Sequence, residues 1–265
     1  DRLTEEAVSF LHKHRDKPFF LYFSHYAVHT PFQAKKEIIK KYEAVPKAQR
    51  QGKPVYAAMV ESVDESVGRI MATLKELRLD DDTLIIFTSD NGGFAGATNH
   101  APLRGNKGAY YEGGIRVPLI IRWPGVTKAG QVSKVPVTSS DLYPTCLTAA
   151  GLPLHPAQHR DGIDLNPILK GAQSLDRDAL FWHYPHYNQH PSAVPSSVMR
   201  KGDWKLIETF DPEGVELYHL GRDLSEATNL AKKEPSKLAE LRKELEAWRT
   251  EVGAEMMEPN PDYEK

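Results

Sequence analysis

The sequence predicts an α/β protein: a mostly parallel sheet flanked by helices, then a small antiparallel sheet with a terminal helix. Three observations point there. Apolar runs of strand length alternate with helix-period segments over residues 1–174. Short strand-like segments joined by turns follow over residues 175–265. A last amphipathic stripe closes the chain. Strands that alternate with helices form parallel sheets, whereas turn-linked strands pair antiparallel.

Each element has its own signal. Residues 3–14 carry a helical pattern around Val8 and Leu11, and Pro18 breaks the chain after it. Phe19-Phe20-Leu21-Tyr22-Phe23 is an unbroken apolar run, as expected of a strand buried on both faces. The segment from His25 to Pro31 reads as a loop. Met59, Val63, Val67, Ile70, Met71, Leu74 and Leu77 then recur at helical spacing over residues 55–79. Asp80-Asp81-Asp82 turns that helix into a second buried strand at 84–87. A Gly-rich loop spans 92–114 and leads to a third strand at 118–122. In the second part, residues 180–184, 198–201, 205–209 and 216–220 are short strands, with Lys201-Gly202-Asp203 as a turn. Pro235 opens the last helix, whose stripe is Leu238, Leu241, Leu245 and Trp248.

Composition removes several function classes. The 265 residues carry 34 basic and 36 acidic side chains, a formal charge of −2. That balance lacks the basic footprint of a nucleic-acid or anionic-membrane binder. The longest apolar run, residues 55–60, is far short of the ~20 residues a spanning helix needs. The single cysteine, Cys146, excludes an internal disulfide and any multi-cysteine zinc or iron–sulfur site. Its helix-like apolar surroundings mark it as a core residue. The chain starts at Asp1 inside a helical pattern, which reads as a cut edge.

Two segments fall where ligands sit in such folds, beyond the carboxyl ends of strands. Asp90-Asn91 offers two hard oxygen donors, which suit Ca²⁺ or Mg²⁺ better than zinc. As a bare tetrapeptide, Asp90-Asn91-Gly92-Gly93 is also good turn chemistry. In the loop from Pro102 to Arg116, glycines let the backbone approach a ligand, and Arg104 and Lys107 can bind a tetrahedral anion. A flexible basic surface loop is the alternative.

Together these words resemble the sulfatase family of the alkaline-phosphatase-like superfamily. The resemblance runs through Phe19-Phe20-Leu21-Tyr22-Phe23-Ser24 with His29-Thr30-Pro31, then Thr88-Ser89-Asp90-Asn91-Gly92-Gly93. It continues in Leu103-Arg104-Gly105-Asn106-Lys107-Gly108 and in Tyr111-Glu112-Gly113-Gly114-Ile115-Arg116-Val117-Pro118. It ends in Ser140-Asp141-Leu142-Tyr143-Pro144-Thr145 and Lys201-Gly202-Asp203-Trp204-Lys205-Leu206-Ile207. The resemblance implies that Asp90 and Asn91 belong to a Ca²⁺ site. It implies that Lys107 contacts the sulfate and that His29 hydrogen-bonds the ester oxygen. His183, at the junction with the small sheet, is a candidate for a sugar subsite, and Arg104 for substrate binding.

The resemblance also implies a formylglycine nucleophile, made from the first residue of a C-x-P-S-R or S-x-P-S-R word. Neither word occurs here, nor does the family's paired-Asp word after its first strand. The expectation is therefore the C-terminal portion of a sulfatase, with residues 1–174 from the catalytic domain and 175–265 a small α+β subdomain. The parent would hydrolyse sulfate monoesters, with a sulfated small molecule or carbohydrate as partner, and would be periplasmic, secreted or lysosomal by family habit. This chain alone would be inactive. Surface left by the absent part would expose apolar side chains and favour self-association. Two other readings stand beside it: a phosphate or phosphonate ester hydrolase of the same superfamily, and a non-catalytic binding remnant.

Overall fold

A computed structural model describes residues 1–188, 190, 193–258 and 260–262. In chain order its elements are α1 (Arg2–His14), α2 (Lys36–Glu43), α3 (Pro54–Glu76), β1 (Ile85–Thr88), α4 (Glu112–Ile115) and β2 (Leu119–Arg122). Then come α5 (Leu142–Ala149), α6 (Asn166–Leu169), β3 (Ala179–Tyr184), β4 (Ser196–Lys201), β5 (Trp204–Phe210), β6 (Glu213–His219) and α7 (Pro235–Val252). These are the helices and antiparallel strands of the α/β class read from the sequence. No helix among the described residues is long and apolar enough to cross a membrane.

The chain divides into two compact units, each made of more than one stretch of sequence. The first holds residues 1–87, 94–99 and 119–131; the second holds 88–93, 100–118 and 132–265. In the first, α1 buries Ala7 and Leu11, and α3 buries Ala58, Met59 and Leu74. Ala7 and Leu11 stand four apart, and Met59 and Leu74 share a side of α3 with half-buried Val63, Val67 and Ile70, so one face of each helix leaves water; Met71 of the expected stripe is 44% exposed. Where α1 meets α3, the Thr4 and Ser66 hydroxyls share a buried hydrogen bond of 2.7 Å. The turn at Asp80-Asp81-Asp82 lies between α3 and β1, as expected. There Arg122 of β2 donates to the Asp80 carbonyl.

The run 19–23 is a correction. It forms no strand, and Phe20 and Tyr22 are 74% and 82% exposed. Phe19, Leu21 and Phe23 are half-buried, so the segment has a covered side and an open one. All five residues are apolar, so the sequence carries no period-2 mark to separate the sides. The expected exposure of apolar side chains is seen here, and Tyr26 extends it at 85%. Among the described residues the first sheet holds β1 and β2.

In the second unit, β3–β4–β5–β6 form an antiparallel meander. The β4–β5 turn is two residues long, and Gly202 takes φ +57°, a conformation that costs glycine little. The sheet is covered on both faces. On one, Met199, Leu206 and Leu217 pack against Leu241 and Leu245 of α7, and Phe181 stacks on Trp248 at 4.7 Å. On the other, Val198, Ile207, Tyr218 and Leu220 pack against Tyr110, Tyr111 and Trp182. Full burial of each such apolar side chain contributes about 1.5–3 kcal/mol. The second face brings the loop that carries Lys107 onto the sheet. Cys146 lies in α5, half-buried, and burial pushes its thiol pKa up.

Candidate functional site

Asp90 and Asn91 follow directly on β1. Thr88 Oγ1 donates to the Pro118 carbonyl at 3.0 Å, which ties the end of β1 to the residue before β2. Within the turn, the Asn91 N–H donates to Asp90 Oδ1 at 2.9 Å, and Ser89 Oγ donates to the Asn91 carbonyl at 3.0 Å. Asn91 Nδ2 donates to the Gly92 carbonyl at 2.9 Å. The amide is thus held by its donor end, and its Oδ1 is the ligand-type atom. The Asp90 carboxylate is exposed.

Backbone bonds join this turn to the loop 104–114. The Gly92 N–H donates to Gly114 O at 2.9 Å, and the Lys107 N–H to Gly93 O at 3.0 Å. The loop closes on itself through Gly113 N–H to Arg104 O at 2.7 Å and Ala109 N–H to Asn106 O at 2.9 Å. A Cβ added at Gly92 would lie 1.9 Å from Gly113 O, and one at Gly114 would lie 2.0 Å from Ala109 O. From the sequence, Gly114 reads as a point of ligand approach and Gly92 as a turn residue. Their demand in the structure is the contact of backbone with backbone.

Asp90, Asn91, Arg104 and Lys107 therefore belong to one interlocked segment of the second unit. Lys107 is half-buried there. Arg104 is an anchor. Its Nη1 donates to Tyr218 Oη at 2.8 Å and to the Glu226 carbonyl at 2.9 Å, and its guanidinium sits 3.8 Å from the Tyr111 ring centroid. Tyr111 and Tyr218 hydroxyls both donate to Glu216, at 2.8 and 2.7 Å. Burial first, and then that carboxylate, push the Tyr111 pKa up to about 12. Replacing Arg104 by Lys keeps the charge and loses the planar contact over the Tyr111 ring. The expected cost is about 1 kcal/mol in urea unfolding. A change within error would show that the ring contact contributes nothing.

His183 lies on β3. Its Nδ1 is 2.7 Å from Ser197 Oγ, and its Nε2 is 2.7 Å from the Glu255 carbonyl. A carbonyl only accepts, so Nε2 donates to Glu255, and Nδ1 pairs with the Ser197 hydroxyl. Both ring nitrogens are engaged within the chain. His29 belongs to the first unit, exposed in its loop, with Nδ1 3.0 Å from the Thr30 carbonyl.

The donor set of Asp90 and Asn91 fits a hard cation in kind. It falls short in number, since Ca²⁺ takes about six to eight oxygens. Among the described residues, no cluster of three or more His, Cys, Asp or Glu could complete a shell.

Sequence reasoning missed the groups that hold the loop from beneath. Lys205, Glu112 and Glu226 are fully buried together. Polar residues on a strand and in a turn read as surface, and only their long-range meeting shows otherwise.

Comparisons with known proteins agree with the motif pattern. The family profile described as Sulfatase matches residues 1–152. A second profile, the C-terminal part of N-sulphoglucosamine sulphohydrolase, matches residues 105–252. A sulfatase of Formosa agariphila is 38% identical over 88% of this chain and 46% of its own length. Human steryl-sulfatase is 40% identical over 69% of this chain and 31% of its own. Among solved structures, Ps i-CgsB in complex with k-i-k-neocarrahexaose superposes with a TM-score of 0.81 at 33% identity. That likeness covers 94% of this chain and 54% of that one. The chain thus spans about half, or less, of the length of these relatives.

Proposed function

The chain belongs to the Sulfatase family, and on that premise we propose that it carries the Asp90–Asn91 and Lys107 share of a sulfate monoester hydrolase site. The observation that supports this most is the joining of the Asp90 turn to the Lys107 loop by paired backbone bonds. A cation-type donor pair and an ammonium group are thereby held on one small framework.

A sulfate monoester is a dispersed anion, and hydrolysis builds further charge on the leaving oxygen. In this reading Lys107 supplies positive charge to the sulfate. His29 donates to the ester oxygen, a task suited to an imidazole near neutral pH. Asp90 and Asn91 would hold Ca²⁺, with Mg²⁺ the alternative by donor type. Such an ion, when bound, draws charge off the sulfate oxygens. The nucleophile of the reading is a formylglycine, and no C-x-P-S-R or S-x-P-S-R word occurs in these 265 residues. The chain alone is therefore expected to bind a sulfate ester and not to turn it over. A sulfated carbohydrate is the substrate class, supported by the likeness to the neocarrahexaose complex.

The test is an amide-shift titration of the purified chain in Ca²⁺ buffer with galactose 6-sulfate. Shifts are expected at Asn91, Lys107 and Gly108, with none from galactose. Lys107→Ala should weaken binding by about tenfold or more, the loss of one charged contact. A stronger response to galactose 6-phosphate would instead favour the phosphate-ester reading. Steady release of sulfate from 4-nitrophenyl sulfate, abolished by Lys107→Ala, would show that the chain is active alone.

A further inference from the structure

One buried group in the second unit has no role in the reading above. Lys205 is 0% exposed, in the interior of β5. Its Nζ lies 2.9 Å from Glu112 Oε1 and 2.8 Å from Glu226 Oε1. Glu112 heads α4, and its own N–H donates to Glu226 Oε2 at 2.7 Å. Arg200 Nη1 stands 3.8 Å from Glu112 Oε2, and Arg116 Nη1 3.9 Å from it. Burial pushes the Glu226 carboxyl above its usual range, against the pull of Lys205.

The register explains how the sheet presents these groups. Lys205 pairs with Arg200 on β4 and with Tyr218 on β6. The three form a row across one face. That row meets Glu112 through Lys205 and Arg200, and Arg104 through Tyr218. A buried ionic cluster adds little stability over apolar side chains of the same volume, because desolvation offsets the attraction. Its bonds are directional, however, and apolar packing is not. Glu112 is followed by Gly113, bonded to Arg104, and Gly114, bonded to Gly92. The position of Glu112 thus sets both strips of backbone that flank Lys107 and Asn91.

We propose that Lys205 is a positioning residue: through Glu112 and Glu226 it fixes the Lys107 loop and the Asp90–Asn91 turn in the geometry that receives a sulfate ester. The last clause rests on the function proposed above; the fixing of the loop does not. The sheet of residues 179–219 is then part of the site's support.

Two readouts on the isotopically labelled 265-residue chain test this, with Lys205→Met as the variant because it keeps the volume. Hydrogen exchange reads the order of the loop, and titration with 4-nitrophenyl sulfate reads its competence. Thermal unfolding of the variant should fall by about ten degrees, because Glu112 and Glu226 lose their buried cation, while the amides of Met199 and Leu206 should stay protected. Exchange at Gly92, Lys107, Gly113 and Gly114 should speed by about tenfold or more, and sulfate-ester affinity should fall by a like factor. Lys205→Arg should restore part of both. Unchanged exchange at those amides in a folded Lys205→Met would overturn the proposal. Should that variant fail to fold, Glu112→Gln takes its place, since it removes charge without volume. Unchanged loop exchange there has the same force. If the wild-type chain does not bind the ester, the sulfate reading fails, and loop exchange alone decides the positioning role.

Discussion

Gly92→Ala is expected to lower stability by about 3 kcal/mol or more, the upper range for overpacking a tight site. The added Cβ would meet Gly113 O at 1.9 Å and Gly113 C at 2.8 Å. Both are backbone atoms, so no rotamer change can make room. The loop 104–114 would have to move away from the Asp90 turn and break the Gly92–Gly114 bond. Urea unfolding should show a lower midpoint with a similar slope, and the amide of Lys107 should lose protection. Gly68→Ala is the control. It lies within α3, and nothing stands within 4 Å of its added Cβ. There the change should stabilise by about 0.5–1 kcal/mol, the ordinary helix preference for Ala. A Gly92→Ala cost below about 1 kcal/mol would mean that the backbone contact is not tight in solution.

Asp141→Ala should cost about 3–5 kcal/mol, because it leaves a guanidinium in the interior without its partner. Asp141 is fully buried. It accepts from Arg177 Nη1 at 2.7 Å and Nη2 at 2.9 Å, a two-pronged pairing. Its oxygens also accept the N–H groups of Thr138 at 2.8 Å and Ile163 at 2.9 Å. One side chain therefore joins the entry to α5, the segment before α6, and the approach to β3. The double variant Asp141→Ala, Arg177→Ala should recover part of the loss, since no charge is then stranded. Denaturant unfolding of the single and double variants measures this. A double variant less stable than the sum of the singles would count against the stranded-charge account.

Much of the fold was legible, and the reason is periodicity. Met59, Val63, Val67, Ile70 and Leu74 mark α3 because helix geometry brings them to one side, where all are buried or half-buried. The meander of β3 to β6 was legible from its turns, with Gly202 where a positive φ is needed. The run 19–23 was misread because a uniformly apolar segment has no period to read. For the proposed site, residue types alone were legible: hard oxygens at Asp90 and Asn91 and an ammonium at Lys107, on segments that the backbone joins. The sequence could not show that Arg104 is committed to Tyr218 and Glu226, more than a hundred positions away by either of the separations of 114 and 122 residues. Nor could it show that both nitrogens of His183 are bonded within the chain.

The sequence by itself determined the family and most of the elements, because these rest on ordered words and on local spacing. Only the tertiary structure decided which polar groups are buried and what they hold. Glu112 and Lys205 stand 93 residues apart and meet in the interior. Charge in a sequence carries no sign of its burial. Burial is a property of the surfaces that close around it, and those form only when the sheet and the loop pack together.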